Sequence, residues 1–139
     1  MPRITAVVDT GFVVALLNDR DRNHQAAART YSQQGVIAMS QTVLSEAAYM
    51  LRLRTNRDRV VQWLRAFRVS RYQVTPVTQV DLDRVADILE QYRDSRIDFV
   101  DASVMAVAER LGVCRILTLD RRDFGLFRPR HCESFEILP

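Results

Sequence analysis

Residues 6–17 read AVVDTGFVVALL, a run built for burial that contains one acid, Asp9. Ile4–Val8 is short, apolar and rich in β-branched residues, and Asp9-Thr10 bounds it. That pattern predicts a buried strand, with a helix to follow over residues 11–18. An ionised carboxylate in such a setting is costly even after relaxation. Asp9 must therefore be capped, paired, protonated or bound to a cation.

Working outward, short apolar strands alternate with helices. Residues 22–34 read as a helix that ends on Gly35 in the left-handed conformation. Residues 36–39 read as a strand, and Ser40 or Thr42 can cap a helix reaching about Arg54. Asn56 opens another helix with Val60, Trp63, Leu64 and Phe67 on one face. Tyr72–Thr75 reads as a strand and residues 78–93 as an amphipathic helix. Phe99–Leu111 reads as a helix apolar nearly all round, which Gly112 ends. Residues 115–119 and, more weakly, 135–138 are further strands. The alternation argues for an α/β fold with a parallel sheet covered on both faces. In such folds ligands bind at the carboxyl edge of the strands, where the crossover helices begin.

The 139 residues suit a single domain over 1–139. With 47% hydrophobic and 27% charged residues the chain is globular rather than disordered. No apolar stretch approaches the ~20 residues that span a bilayer. Asp9 interrupts the apolar run after Arg3 and no small-residue cleavage site follows, which argues against a signal peptide. A cytoplasmic protein with no membrane association is expected. Cys114 and Cys132 fit no metal-ligand spacing and are expected as buried free thiols in a reducing compartment.

All twenty basic residues are arginine, which coding bias in the source genome explains as well as a preference for bidentate phosphate contacts does. Their placement is more informative than the overall +3 charge. Residues 52–71 carry seven arginines against Asp58, a net of +6, whereas residues 81–101 carry seven acids against three arginines, a net of −4. The asymmetry suggests an anionic partner on one face, or else solvated helix surfaces.

Four acids map to the carboxyl edge of the expected sheet. Asp9 ends the first strand, Glu46 lies early in the helix after the second, Asp101 opens the apolar helix, and Asp120 ends the fourth strand in ILTLD. Asp9 and Glu46 have no basic residue within five positions, and Asp101 has only Arg96. Helix capping accounts for Asp98 and Asp123. It does not account for four like charges on one edge, which a hard divalent cation such as Mg²⁺ or Mn²⁺ would reconcile. No Walker A, GxGxxG, GxSxG or HExxH pattern is present. His24 reads as a surface or helix-end residue, far in sequence from His131. Carboxylates alone suit metal-assisted phosphodiester hydrolysis.

The segments VVDTGFVVALLN, QTVLSEAAYML, IDFVDASVMAVAERLG and ILTLDRRDF occur in that order. Together they resemble a PIN domain, most closely the VapC-type toxin ribonucleases and their stand-alone relatives, over nearly the whole chain. The resemblance implies a three-layer α/β/α fold with a five-stranded parallel sheet in order 3-2-1-4-5. It implies a Mg²⁺- or Mn²⁺-dependent endoribonuclease of single-stranded RNA that leaves 5′-phosphate and 3′-hydroxyl ends. Asp9, Glu46, Asp101 and Asp120 then match the catalytic, metal-holding acids, and Thr10 and Thr118 match polar supporting positions. Asp98 and Asp123 are neighbours typical of the family. A VapB-type antitoxin and a homodimer are the implied partners.

Arg52, Arg54 and Arg57 are expected to hold the RNA backbone. Tyr49, Trp63 and Tyr72 are candidates for base stacking, with core packing or a dimer interface favoured for Trp63. Two rival readings stay open. One is a PIN-fold module that binds RNA or protein without cutting. The other is an acid-rich phosphatase or phosphotransferase, which commonly needs a second Asp two residues after the nucleophile. Gly11 stands there instead.

Overall fold

The computed structural model describes residues 3–139. Strand β1 (Ile4–Val8) leads into helix α1 (Thr10–Leu17), and α2 (His24–Ser32) returns the chain to β2 (Val36–Ser40). Helices α3 (Gln41–Arg54) and α4 (Arg57–Ala66) and a 3₁₀ turn (Phe67–Val69) precede β3 (Tyr72–Thr75). Then follow α5 (Gln79–Gln91), α6 (Phe99–Leu111), β4 (Arg115–Leu117), α7 (Arg121–Leu126) and β5 (Glu136–Leu138). The five strands are all parallel, in the order β3-β2-β1-β4-β5 that the sequence resemblance implies.

Successive side chains of a strand point to opposite faces. Ala6, Val7 and Val8 of the central strand are nevertheless all fully buried, so both faces of the sheet are covered. That is why β1 reads as a continuous apolar run rather than an alternating one. Residues 102–108 of α6 are buried one after another, as its all-round apolar pattern predicts. Gly112, at φ +68°, ends it in the left-handed region. α1 has only eight residues, too few to be stable alone. Phe12, Val13, Val14 and Ala15 hold it by burial. The Arg59 guanidinium donates to the Leu17 carbonyl through Nε (3.0 Å) and Nη2 (2.8 Å), satisfying its C-terminal end.

Several local expectations need correction. Gly35 does not end a helix in the left-handed region. α2 stops at Ser32 with Gln33 in ordinary helical geometry, and the buried Gln34 amide donates back to the Thr30 carbonyl at 3.0 Å. Leu64 is exposed, because Trp63 and the half-buried Val60 and Phe67 already fill the inner face of α4. β4 ends at Leu117, two residues early, where Thr118 turns its side chain to Asp9. Cys114 and Cys132 are joined in a disulfide, not free. They lie 18 positions apart in sequence, and the pairing of β4 with β5 brings the two together. Among the described residues, no helix is long and apolar enough to cross a membrane.

Candidate active site at the carboxyl edge of the sheet

The chain just past β1, β2 and β4 carries polar side chains at this edge, Asp9, Gln41 and Thr118. Asp9 occupies the N-cap position of α1, yet its carboxylate makes no capping bond. It accepts instead from Thr118 Oγ1 at 2.8 Å. The same Thr118 hydroxyl accepts from the Asp120 backbone N–H at 3.0 Å, so one buried threonine fixes both acids. Asp120 caps α7 by accepting from Asp123 N–H at 3.0 Å. Asp98 and Asp101 form a reciprocal capping box on α6, with Asp101 N–H donating to Asp98 Oδ1 (3.0 Å) and Asp98 N–H to Asp101 Oδ2 (3.1 Å). Glu46 is half-buried in the second turn of α3.

The electrostatics show that these acids share one locality. Burial at 7% exposure raises the Asp9 pKa to about 6; the Thr118 hydroxyl and the Thr10 backbone N–H oppose this, and the charges of Asp120 and Glu46 add to it. Burial likewise pushes the Asp101 carboxyl well above the usual carboxylate range, against its bond from Asp98 N–H and aided by the charges of Asp9 and Asp98. Asp123 is raised by burial and by Asp120. None of the three ion pairs among the described residues includes any of these acids. Two buried oxygens beside them, Thr10 Oγ1 and Asp123 Oδ1, have no hydrogen-bond partner. Unanswered negative charge and orphaned oxygen atoms are hard donors, the set that suits Mg²⁺ or Mn²⁺.

The acids do not close into a tight cage: no three of them bring carboxylate oxygens within 4.8 Å of one another. Among the described residues only Cys114, His131 and Cys132 meet that spacing, and the disulfide occupies both sulfurs. Acids spaced in this way would suit an ion such as Mg²⁺, which keeps part of its hydration shell.

The arginine-rich stretch divides in two. Arg59 serves α1, and Arg71 donates to the Gln34 carbonyl (2.9 Å) while lying over the Tyr31 ring. Arg52, Arg54 and Arg57 are exposed and enter no side-chain hydrogen bond or ion pair with other described residues. Trp63 and Tyr72 are buried in an aromatic cluster with Phe67 and Tyr31, which removes them as base-stacking candidates. Tyr49 is 59% exposed and lines a groove of about 620 Å³ with Glu46 and the half-exposed Phe99. Phe99 escaped the sequence reading because it sits in a helix that is otherwise apolar. Only its place between Asp98 and Asp101 marks it. His24 opens α2 and bonds the Ala15 carbonyl through Nδ1 at 3.0 Å, a helix-end role.

The PIN domain model matches residues 6–127. The chain is similar to Ribonuclease VapC26 of Mycobacterium tuberculosis, 27% identical over 134 residues that cover 96% of this chain and 99% of the relative. Among solved structures it is similar to VapC20 of the same organism, described as a Sarcin-Ricin loop cleaving toxin. That match has TM-score 0.77 and 28% identity over 85% of this chain and 92% of the other. It also shares its fold with VapBC2 from Rickettsia felis, solved bound to a DNA fragment from their promoter. There the TM-score is 0.71 at 16% identity, covering 98% and 100% of the two chains. Fold order, ordered motifs and matched model agree: the chain belongs to the PIN-domain family.

Proposed function

We propose that this chain is a Mg²⁺- or Mn²⁺-dependent endoribonuclease that hydrolyses single-stranded RNA, and the toxin of a type II toxin–antitoxin pair. The observation that carries the reading is the acid group itself: Asp9, Glu46, Asp101 and Asp120 gather at the ligand-binding edge of a parallel sheet with no arginine answering them. The similarity to a ribonuclease and to a Sarcin-Ricin loop cleaving toxin supports the substrate class.

These four acids would hold the divalent cation, which when bound supplies Lewis-acid stabilisation and lowers the pKa of water for attack on phosphorus. Thr118 keeps the Asp9 carboxylate turned away from its own helix cap and toward the shared edge. The Asp98–Asp101 box fixes Asp101 through Oδ2 and leaves Oδ1 for a ligand. Arg52, Arg54 and Arg57 would bind backbone phosphates, and Tyr49 would stack on an unpaired base. A VapB-type antitoxin and a homodimer complete the proposal, with residues 1–139 acting as one domain.

The test is cleavage of a labelled single-stranded RNA with Mg²⁺, Mn²⁺ or chelator. Metal-dependent cuts leaving 5′-phosphates, abolished by Asp9→Asn, are expected. A folded wild type that binds RNA but never cuts it under any metal would replace this reading with a non-cleaving module.

A further inference from the structure

Three hydroxyls outside the acid group join the two helices that carry Glu46 and Asp101. Ser40 caps α3: its Oγ accepts from Thr42 N–H at 3.3 Å and lies 2.8 Å from Thr42 Oγ1. Thr42 Oγ1 lies 2.6 Å from Ser103 Oγ, and Ser103 Oγ donates to the Val100 carbonyl at 2.7 Å. A hydroxyl has one proton to give. With that of Ser103 on Val100, Thr42 must donate to Ser103 and Ser40 to Thr42. The order Ser40 → Thr42 → Ser103 → Val100 is therefore fixed in one direction, with every donor used.

Such a chain is costly to bury unless it is complete. Ser40 and Ser103 are fully buried, and Ser103 is the only hydroxyl in the buried run 102–108, where alanine would pack without that cost. Thr42 and Glu46 stand one turn apart on α3, the i, i+4 spacing that puts them on the same face. Ser103 lies two residues past Asp101, at the start of the second turn of α6. One directional bond, Thr42 to Ser103 at 2.6 Å, therefore fastens the start of α3 to the start of α6, and the Ser40 and Val100 bonds on either side fix its direction.

We infer that Ser40, Thr42 and Ser103 are positioning residues that set the separation of Glu46 and Asp101 and thereby the grip of the acid site on its divalent cation. The inference rests on the metal-site reading above. Thr42→Val removes the hydroxyl at nearly constant shape, Ser103→Ala breaks the chain from the other helix, and Thr42→Ser keeps it. Mn²⁺ binding is measured by electron paramagnetic resonance without RNA, alongside kcat and KM for single-stranded RNA.

Thr42→Val and Ser103→Ala should each weaken Mn²⁺ binding by roughly ten- to a hundredfold. They should lower kcat at limiting metal and leave KM for RNA unchanged. The double variant should bind no worse than the weaker single one, because both cut the same chain, and Thr42→Ser should bind as the wild type does. If one variant fails to fold, the other carries the test. Folded variants with wild-type Mn²⁺ affinity overturn the positioning role and leave the metal site standing. A wild type that binds no Mn²⁺ overturns both.

Discussion

Helices α5 and α6 begin with the same local device and put it to opposite uses. Each opens with a capping box whose third helical residue is an aspartate, Thr78 with Asp81 and Asp98 with Asp101. Burial raises the pKa of Asp81, but hydrogen bonds from Arg110 (3.0 Å) and Thr78 and the Arg110 charge outweigh it and hold the carboxyl below its ordinary value. Asp101 is also pushed up by desolvation, and it faces Asp9 and Asp98 instead of a cation, so its pKa rises. A capping box explains why an aspartate sits at each position. Only the tertiary partner tells a carboxylate whose charge is answered from one whose charge is not.

The sharpest break of this comparison is to neutralise each aspartate in turn. Asp101→Asn should cut RNA cleavage by more than about a hundredfold, on the scale of losing one preorganised electrostatic contact, while metal-free stability holds or rises. Asp81→Ala should leave kcat unchanged and cost roughly 2–3 kcal/mol of stability, because it strips a cap and leaves Arg110 without its buried partner. Denaturant midpoints and single-turnover rates measured on the same preparations decide it. A catalytic loss in Asp81→Ala equal to that in Asp101→Asn would erase the distinction.

The two aspartates also predict opposite pH dependence. A carboxyl whose folded pKa is raised binds its proton more tightly in the native state, so stability falls as pH climbs from the unfolded value of about 3.8 through the folded one. For Asp9 that window ends near pH 6, and for Asp101 it extends higher. Asp81, with a lowered folded pKa, contributes stability that is present above about pH 3.8 and lost as pH falls through its folded value. Without divalent cation, thermal midpoints should therefore decline between pH 4 and pH 8. Asp9→Asn should flatten that decline, and Mg²⁺ at a hundred times its Kd should restore about 2.7 kcal/mol at pH 8. A metal-free midpoint that rises steadily over this range in the wild type contradicts the assignment of Asp9 and Asp101.

Asp98 and Asp101 lie one turn apart, yet the smaller effect belongs to Asp98. It is exposed, and its side chain is occupied in capping. Asp98→Ala should cost about 1 kcal/mol and keep most activity, and Asp98→Asn should keep both. Urea titration with initial rates will tell. An Asp98→Asn variant as inactive as Asp101→Asn would move Asp98 into the acid site.

Local pattern carried most of this arrangement and long-range pairing carried the rest. Asp9 directly after β1 and the apolar helix holding Asp101 were legible because apolar runs with a single acid have few structural solutions; Asp120 was legible as an acid of this edge but lies three residues past the end of β4, as the cap of α7. The pairing of Asp81 with Arg110 across 29 positions was not, nor was that of Arg59 with the Leu17 carbonyl across 42. No local signal links such residues. The same holds for Cys114 and Cys132, whose pairing depends on which strands become neighbours. Core packing or a dimer interface was already the favoured reading of Trp63, whereas Tyr72 stayed a stacking candidate until the sheet order placed β3 at an edge beneath α4 and the 3₁₀ turn.

The distinction between answered and unanswered charge applies to the arginines as well, and here the expected effect per residue is smallest. Arg84, Arg110 and Arg115 face carboxylates, while Arg59 and Arg71 donate to backbone carbonyls. Arg52, Arg54 and Arg57 are exposed at the end of the helix that carries Glu46 and at the start of the next. Eight residues separate Glu46 from Arg54, about 12 Å along a helix at 1.5 Å per residue, a distance that two or three nucleotides span. Phosphate contacts position a strand without reading its sequence. Replacing all three by alanine should therefore weaken RNA binding for every sequence tested and leave the cleavage site unchanged. It should also lower the slope of log K against log salt by up to ~0.7 per lost contact. Arg59→Ala is the control: it removes one arginine of the same stretch but uncaps α1, so it should reduce stability more than it reduces the salt slope. Fluorescence anisotropy across a salt series separates the two. A triple variant that binds RNA with the wild-type slope would make this stretch a solvated surface and send the search for the RNA path to the groove lined by Tyr49 and Phe99.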